Sequence, residues 1–248
     1  MLPLLEEILR KKEVLSADNT LIPLHSAITE PEGAKLQELI AQKRPVVSLE
    51  VGLAYGVSAL FICEALSKAG GERHIVIDPG QEAWFQGIGL RHLKEVGFGP
   101  LIDFRQQKSH NALPQLVAEG VRIDFAFIDG FHTFDHVLID FFYIDLLLRV
   151  GGIVAFDDAE WASIHRVCRY VATNRAYRVC GEVGTARRKG LTTRAVCWSA
   201  RRSAALRRLV RSRFSDPDEG LGFSSDSSLI AFEKISEDTR KWDFDRDF

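Results

Sequence analysis

Apolar residues recur along this chain in two alternating rhythms from about residue 35 onward. "GAKLQELIAQKR" places Leu36, Leu39 and Ile40 at helical spacing and stops before Pro45. "PVVSLEVG" is then an apolar run of strand length, and "VSALFICEALSKAGG" returns to the helical period. The alternation continues with a strand in "HIVIDPG", stopped by Pro79 and Gly80, and a helix around Gln86 to Val96. A strand near Leu101 to Arg105, a helix near Asn111 to Glu119 and a strand in "IDFAFIDG" follow. "FDHVLIDFFYIDLLLRVGG" predicts a helix ended by Gly151 and Gly152, with Leu138, Phe141, Phe142 and Leu146 in the core, and "IVAFDD" a strand after it. "AYRVCGEVG" and "LIAFEKI" read as two later strands.

Short apolar strands separated by helices predict an α/β fold with a parallel sheet covered on both faces. Ligands of such sheets bind beyond the carboxyl ends of the strands. Acidic residues fall at those ends: Asp78 after "HIVI", Asp129 after "IDFAFI", and Asp157 with Asp158 after "IVAF". Any one of them reads equally as a helix cap or turn residue. Their arrival on one predicted edge argues for a shared task, because like charges held together need a proton or a cation.

Composition narrows the setting. The chain has 248 residues, enough for one large domain, and its formal net charge is -2. No apolar run reaches the roughly 20 residues of a membrane span, and "MLPLLEEILRKKEVL" is too charged for a secretion signal, so no membrane partner and a cytoplasmic location are expected. Cys63, Cys168, Cys180 and Cys197 form no CxxC pair and are expected as reduced thiols. Charge is unevenly spread: Arg187 to Arg213 holds ten Lys or Arg and no acid, leaving the remainder acidic.

"LEVGLAYGVSALF" carries further chemistry. Gly52 and Gly56 allow a tight strand-to-helix turn and close approach to a ligand, with Glu50 and Ser58 as flanking polar groups. Asp78, about one strand later, is placed to accept hydrogen bonds from two ribose hydroxyls. The glycine spacing is not GxGxxG, which counts against a dehydrogenase.

These stretches resemble a known family. "EVGLAYGVS" resembles the E-x-G-x-x-x-G-x-S loop of class I S-adenosylmethionine-dependent methyltransferases. "DGFH…D…LLLRVGGIVAFDD" resembles a later motif of their small-molecule O-methyltransferase branch, of catechol, caffeoyl-CoA, cephalosporin-hydroxylase and macrocin types. The resemblance runs from about residue 25 to 183. It implies a Rossmann-like, doubly wound, mostly parallel seven-stranded sheet ending in an antiparallel hairpin. It also implies S-adenosylmethionine as cofactor: Glu50, Gly52, Gly56 and Ser58 beside its methionine part, Asp78 on the ribose, Ser109 and His110 of "KSHNALPQL" at the adenine, and Asp129 at the reacting end. A divalent cation, Mg²⁺ above others, would lie on Asp129, Asp157 and Asp158; the branch often has Asn at the last position. Catalysis would rest on Asp129 and on His132, the latter as general base, partner of Asp129 or metal ligand. His136 and Asp140 read as helix-surface residues or as partners of site residues.

The domain plan that follows is a cap segment over 1–34, a methyltransferase domain over 35–248, and a basic helical insertion at about 185–226. In "LIPLHSAITEPEGAKLQEL", Ser26, Thr29 and Glu30 are expected helix-capping residues, with Pro31 at a first helical position. The insertion reads either as a solvated helix or homo-oligomer arm, or as a surface that captures an anionic acceptor; it has few aromatics for nucleic acid. The expected reaction is metal-assisted O-methylation of a small-molecule hydroxyl on a sugar or natural product. The alternatives are a metal-independent enzyme with His132 as base and an inactive nucleoside-binding relative.

Overall fold

A computed structural model describes residues 1–184, 218, 220–244 and 246–248. The expected basic insertion and Cys197 therefore lie largely or wholly outside the described residues. A short N-terminal unit comes first: helix α1 (Pro3–Lys11) and a two-stranded hairpin, β1 (Glu13–Leu15) with β2 (Leu21–Pro23). The sequence reading included none of these; the strands, three residues long, are too short to show a period, whereas α1 is an ordinary amphipathic helix. Helix α2 (Glu30–Lys43) begins as the sequence predicts at Thr29, which forms a reciprocal capping box with Glu32; Pro31 stands second in the helix.

The alternating part follows as β3 (Val47–Val51), α3 (Val57–Ala69), β4 (Arg73–Ile77), α4 (Gln81–Phe85), α5 (Ile88–Glu95) and β5 (Ile102–Arg105). It continues as α6 (Ser109–Ala118), β6 (Ile123–Ile128), α7 (Phe134–Leu147), β7 (Leu148–Phe156), α8 (Ala162–Asn174), β8 (Tyr177–Gly184) and β9 (Ser227–Lys234). The seven-stranded sheet has the order β5-β4-β3-β6-β7-β9-β8. Strands β3 to β7 are parallel, and β9 runs antiparallel between β7 and β8, the expected terminal hairpin.

Each face of the sheet carries its own core, as strand alternation dictates. Phe125 and Phe127 of β6 point into the layer with α2, α3 and α5, whereas Ala126 and Ile128 point into the layer with α6, α7 and α8. All four are nearly or fully buried, and each of the larger side chains contributes roughly 1.5–3 kcal/mol by leaving water.

The helix predicted over Gln86 to Val96 is α5; the short helix α4, which the sequence reading did not include, precedes it, and the two are divided where Gln86 and Gly87 adopt positive φ (52° and 67°). Two expectations need correction. Gly151 and Gly152 do not end α7: the chain turns into β7 at Leu148, and Gly151 (φ 85°) lies within that strand near a register irregularity. Buried leucines on both sides of the junction suit helix and strand alike, which hid the boundary. Phe142 and Leu146, expected in the core, are 51% and 45% exposed on the outer side of α7. Helix α8, with an ordinary amphipathic pattern, also escaped the sequence reading.

Candidate active site

Backbone hydrogen bonds at the carboxyl ends of β3, β6 and β7 draw the site together. The Asp129 amide donates to the Val51 carbonyl (2.9 Å) and the Asp157 amide to the Ile128 carbonyl (3.1 Å), so the acidic residues leave adjacent strands side by side. Gly52 makes this approach possible: with φ 94°, a Cβ there would fall 2.0 Å from the Asp129 carbonyl oxygen. Gly56 (φ 79°) caps α3 and fits against Gly89 of α5. Both glycines thus serve close contacts between chain segments, beyond any approach to a ligand.

The polar groups of the glycine loop are buried. Asp78 accepts the Leu53 and Ala54 amides on one oxygen (3.0 Å each) and the Gly80 amide on the other (2.7 Å). It therefore staples the loop to the end of β4. Glu50, with no exposed surface, pairs with His74 (3.2 Å), which in turn meets the Ser48 hydroxyl (2.9 Å). Its second oxygen, Oε1, is buried with no hydrogen-bond partner among the described residues. Ser58 is buried in the first turn of α3.

The acid set is arranged around His132. Its Nε2 lies 3.2 Å from Asp129 Oδ1 and its Nδ1 3.3 Å from Asp158 Oδ2. Since both neighbours are acceptors, the ring holds a proton on each nitrogen unless one carboxyl is protonated. The Asp129 contact accordingly raises the His132 pKa, against the effect of burial. Burial pushes Asp129 up to about 6, with His132 opposing. Asp158 is also raised, first by burial, and adopts a left-handed backbone (φ 48°).

Ligand atoms of Asp129, His132 and Asp158 all lie within 4.8 Å of one another. Asp157 falls outside that close group; it is 7% exposed, and its Oδ1 is buried with no hydrogen-bond partner among the described residues. Burial, then repulsion from Asp129 and Glu32, holds its pKa well above the usual range. Glu32 was absent from the expected site. Its signal was the T-x-x-E capping box of "TEPE", which sequence reading can detect as a helix start but cannot place near β7.

Two other neighbours of His132 also went unforeseen. The Ser163 hydroxyl donates to its carbonyl (2.7 Å), and the half-exposed Trp161 meets its ring edge to face (centroids 5.3 Å). At the other end of the site, Ser109 opens α6, and His110 and His136 bring their rings within 6.0 Å. Asp140 is not a helix-surface residue: it is 1% exposed, it faces Ser109, and neither of its oxygens closes a hydrogen bond among the described residues. Burial lifts its pKa to about 6.

Comparisons with known proteins agree with this geometry. Residues 49–159 match a family model described as a methyltransferase domain. The chain is 29% identical over 137 residues to flavonoid 3',5'-methyltransferase of Vitis vinifera (52% of this chain, 54% of the relative). It is 31% identical over 136 residues to caffeoyl-CoA O-methyltransferase of Stellaria longipes (52% of each). It thus spans about half the length of the curated relatives it matches. Its fold resembles an O-methyltransferase from Bacillus cereus solved in complex with SAH (TM-score 0.63, 19% identity, 93% of this chain and 90% of that one). It is also similar to the O-methyltransferase TomG from Streptomyces achromogenes (TM-score 0.51, 20% identity, 84% and 82% covered). The resemblance first carried by a glycine loop and two acidic strand ends is thereby extended, as a likeness of fold, to the whole sheet, and residues 49–159 match a methyltransferase domain.

Proposed function

We propose that this chain transfers the methyl group of S-adenosylmethionine to a hydroxyl of a small molecule, assisted by a divalent cation, Mg²⁺ above others. The observation that carries the reading is His132 bracketed by Asp129 and Asp158 at the strand ends that adjoin the glycine loop. Unmet buried acceptors fit both absent groups. Glu50 Oε1 is such an acceptor beside the loop expected to hold the cofactor's ammonium end, and Asp157 Oδ1 is one within the acidic set. Asp129, Asp157 and Asp158 would offer hard oxygen ligands to the cation; Glu50, Gly52, Gly56, Ser58, Asp78, Ser109 and His110 would line the cofactor.

When bound, the cofactor supplies a methyl group on a sulfonium, and the cation supplies positive charge that favours the ionised form of the acceptor hydroxyl. The remaining work falls to the chain. Asp129 and Asp158 orient the His132 ring, and Ser163 fixes its backbone. To act as base, His132 must first give up one ring proton and with it one carboxylate contact; its freed nitrogen can then take the acceptor's proton. Residues 1–34 act as a cap segment whose last part, the start of α2, delivers Glu32 to the acidic set. Titration calorimetry with S-adenosylmethionine, with and without Mg²⁺, tests the reading: binding is expected, and no binding under either condition would sink it.

A second reading has one observation in its favour, that His132 rather than Asp157 completes the close group. In that case His132 acts without a metal. Turnover that survives exhaustive chelation would select it over the first.

A further inference from the structure

The acidic turn after β7 is held by a side chain that the proposed reaction does not use. Within this turn Asp158 takes a left-handed backbone (φ 48°), a conformation that a residue other than glycine keeps only where its surroundings impose it. Backbone bonds supply part of the restraint: the Ala159 amide donates to the Ser228 carbonyl on β9 (2.9 Å), and the Trp161 amide to the Asp158 carbonyl (2.9 Å). Helix α8 starts at once, and no side chain caps it at Trp161. The turn is closed instead by His165, one turn into α8, whose Nδ1 donates to the Ala159 carbonyl (2.9 Å).

The ring is itself fixed from its other side. Its Nε2 lies 2.6 Å from Asp218 Oδ2, and Arg169, one turn further along α8, approaches the second oxygen of that carboxylate (3.3 Å). The Asp218 side chain has no exposed surface and that of His165 only 13%. A carbonyl only accepts, so Nδ1 carries a proton, and Asp218 keeps the ring in the orientation that presents it to Ala159. The connection runs on to the proposed base: Ala159 follows Asp158, whose Oδ2 lies 3.3 Å from His132 Nδ1. We infer that His165, oriented by Asp218, is a positioning residue that locks the 157–161 turn in the shape that sets Asp158 against His132. Its bearing on the cation site rests on the function proposed above; its hold on the turn does not.

Two substitutions separate this role from simple tethering of Asp218. An Asn amide takes the place of Nδ1 and can still donate to Ala159, whereas a Gln amide takes the place of Nε2 and keeps only Asp218. Hydrogen exchange of the full chain without ligands, read by mass spectrometry on peptides covering 157–163, is expected to run about 10-fold faster in His165→Gln. His165→Asn should recover most of the lost protection. In titration calorimetry with Mg²⁺ alone, His165→Gln should raise the dissociation constant about 10-fold, as loss of support behind a metal ligand does. Affinity for S-adenosylmethionine should stay as it is, because Asp78 and the glycine loop stand at β3 and β4. Unchanged exchange in His165→Gln, or exchange as fast in His165→Asn, would overturn the inference and leave His165 a tether of Asp218. A loosened turn with the Mg²⁺ constant unmoved would overturn its bearing on the site. If the unmodified protein binds neither ligand, the proposed function falls, and the exchange rates alone decide the hold on the turn.

Discussion

The two ends of the sheet treat buried acids in opposite ways. At the end where the parallel strands begin, Asp145 of α7 receives the Arg175 guanidinium, the Tyr177 hydroxyl (2.6 Å) and, at 3.7 Å, the Lys234 ammonium. Lys234, though 1% exposed, also donates to the Asp145 and Leu148 carbonyls and to Glu237. Every charge there has a partner within the chain. At the other end, Asp129 and Asp158 share His132 between them, while Asp157 is set against Asp129 and Glu32 and its Oδ1 has no partner among the described residues. The same residue type is thus a fastening at one end and an unmet demand at the other. Stability explains the first arrangement; the second goes against it and calls for a ligand.

Substituting one acid at each end breaks the comparison most sharply. Asp145→Ala leaves Arg175 and Lys234 without their shared carboxylate and should cost about 3–5 kcal/mol of unfolding free energy in urea titrations. Asp157→Ala should leave stability unchanged or slightly higher at neutral pH while lowering turnover by about 10³-fold or more, roughly 4 kcal/mol on the barrier. Equal stability losses from the two substitutions would mean that both clusters are structural. A smaller effect, about 10²-fold or more on kcat, is expected for His132→Gln. The sign of its pH dependence follows from the raised pKa of His132. As a base the ring works only above that folded-state value, so activity should rise with pH through a range above 6.5. The stability its carboxylate contacts contribute runs the other way, present below 6.5 and lost as pH climbs through the raised value. An unchanged pH profile in His132→Gln would remove the histidine from proton transfer.

Cation binding gives a third test. Mg²⁺ at 100 times its dissociation constant should stabilise the protein by about 2.7 kcal/mol, and Asp157→Ala should abolish most of that gain in thermal unfolding. The Asp145 end, already satisfied, should respond to Mg²⁺ in neither protein. Stabilisation of equal size in both would place the ion elsewhere.

Much of this contrast was legible before the structure, and the exceptions have physical causes. Asp129, Asp157 and Asp158 end apolar runs of strand length, and parallel pairing of those runs is enough to gather them. Asp78 and the glycines were legible as a tight turn, but Asp78's grip on the Leu53 and Ala54 amides depends on how β3 and β4 register, which no local pattern encodes. Glu32 is 97 residues from Asp129 in sequence and reaches the acids only through tertiary packing. Phe142 and Leu146 misled for a related reason. Hydrophobicity marks a residue as wanting cover, without saying whether its own chain supplies it.

Asp140 lies between the two extremes and offers the finest test. It is as buried as Asp145, yet among the described residues it has only Ser109 and His136 to draw on, and burial lifts its pKa from 3.8 to about 6. A carboxyl whose folded-state pKa is raised favours the folded state fully only below its unfolded value and loses that contribution as pH rises through the folded value. Asp140→Asn removes the charge and keeps the shape. It should therefore raise stability by about 1–3 kcal/mol at pH 8 and by almost nothing at pH 4, in urea titrations at the two values. Were Asp140 fastened as Asp145 is, the substitution would destabilise at pH 8 instead. The sign of that one difference decides to which end of the comparison Asp140 belongs.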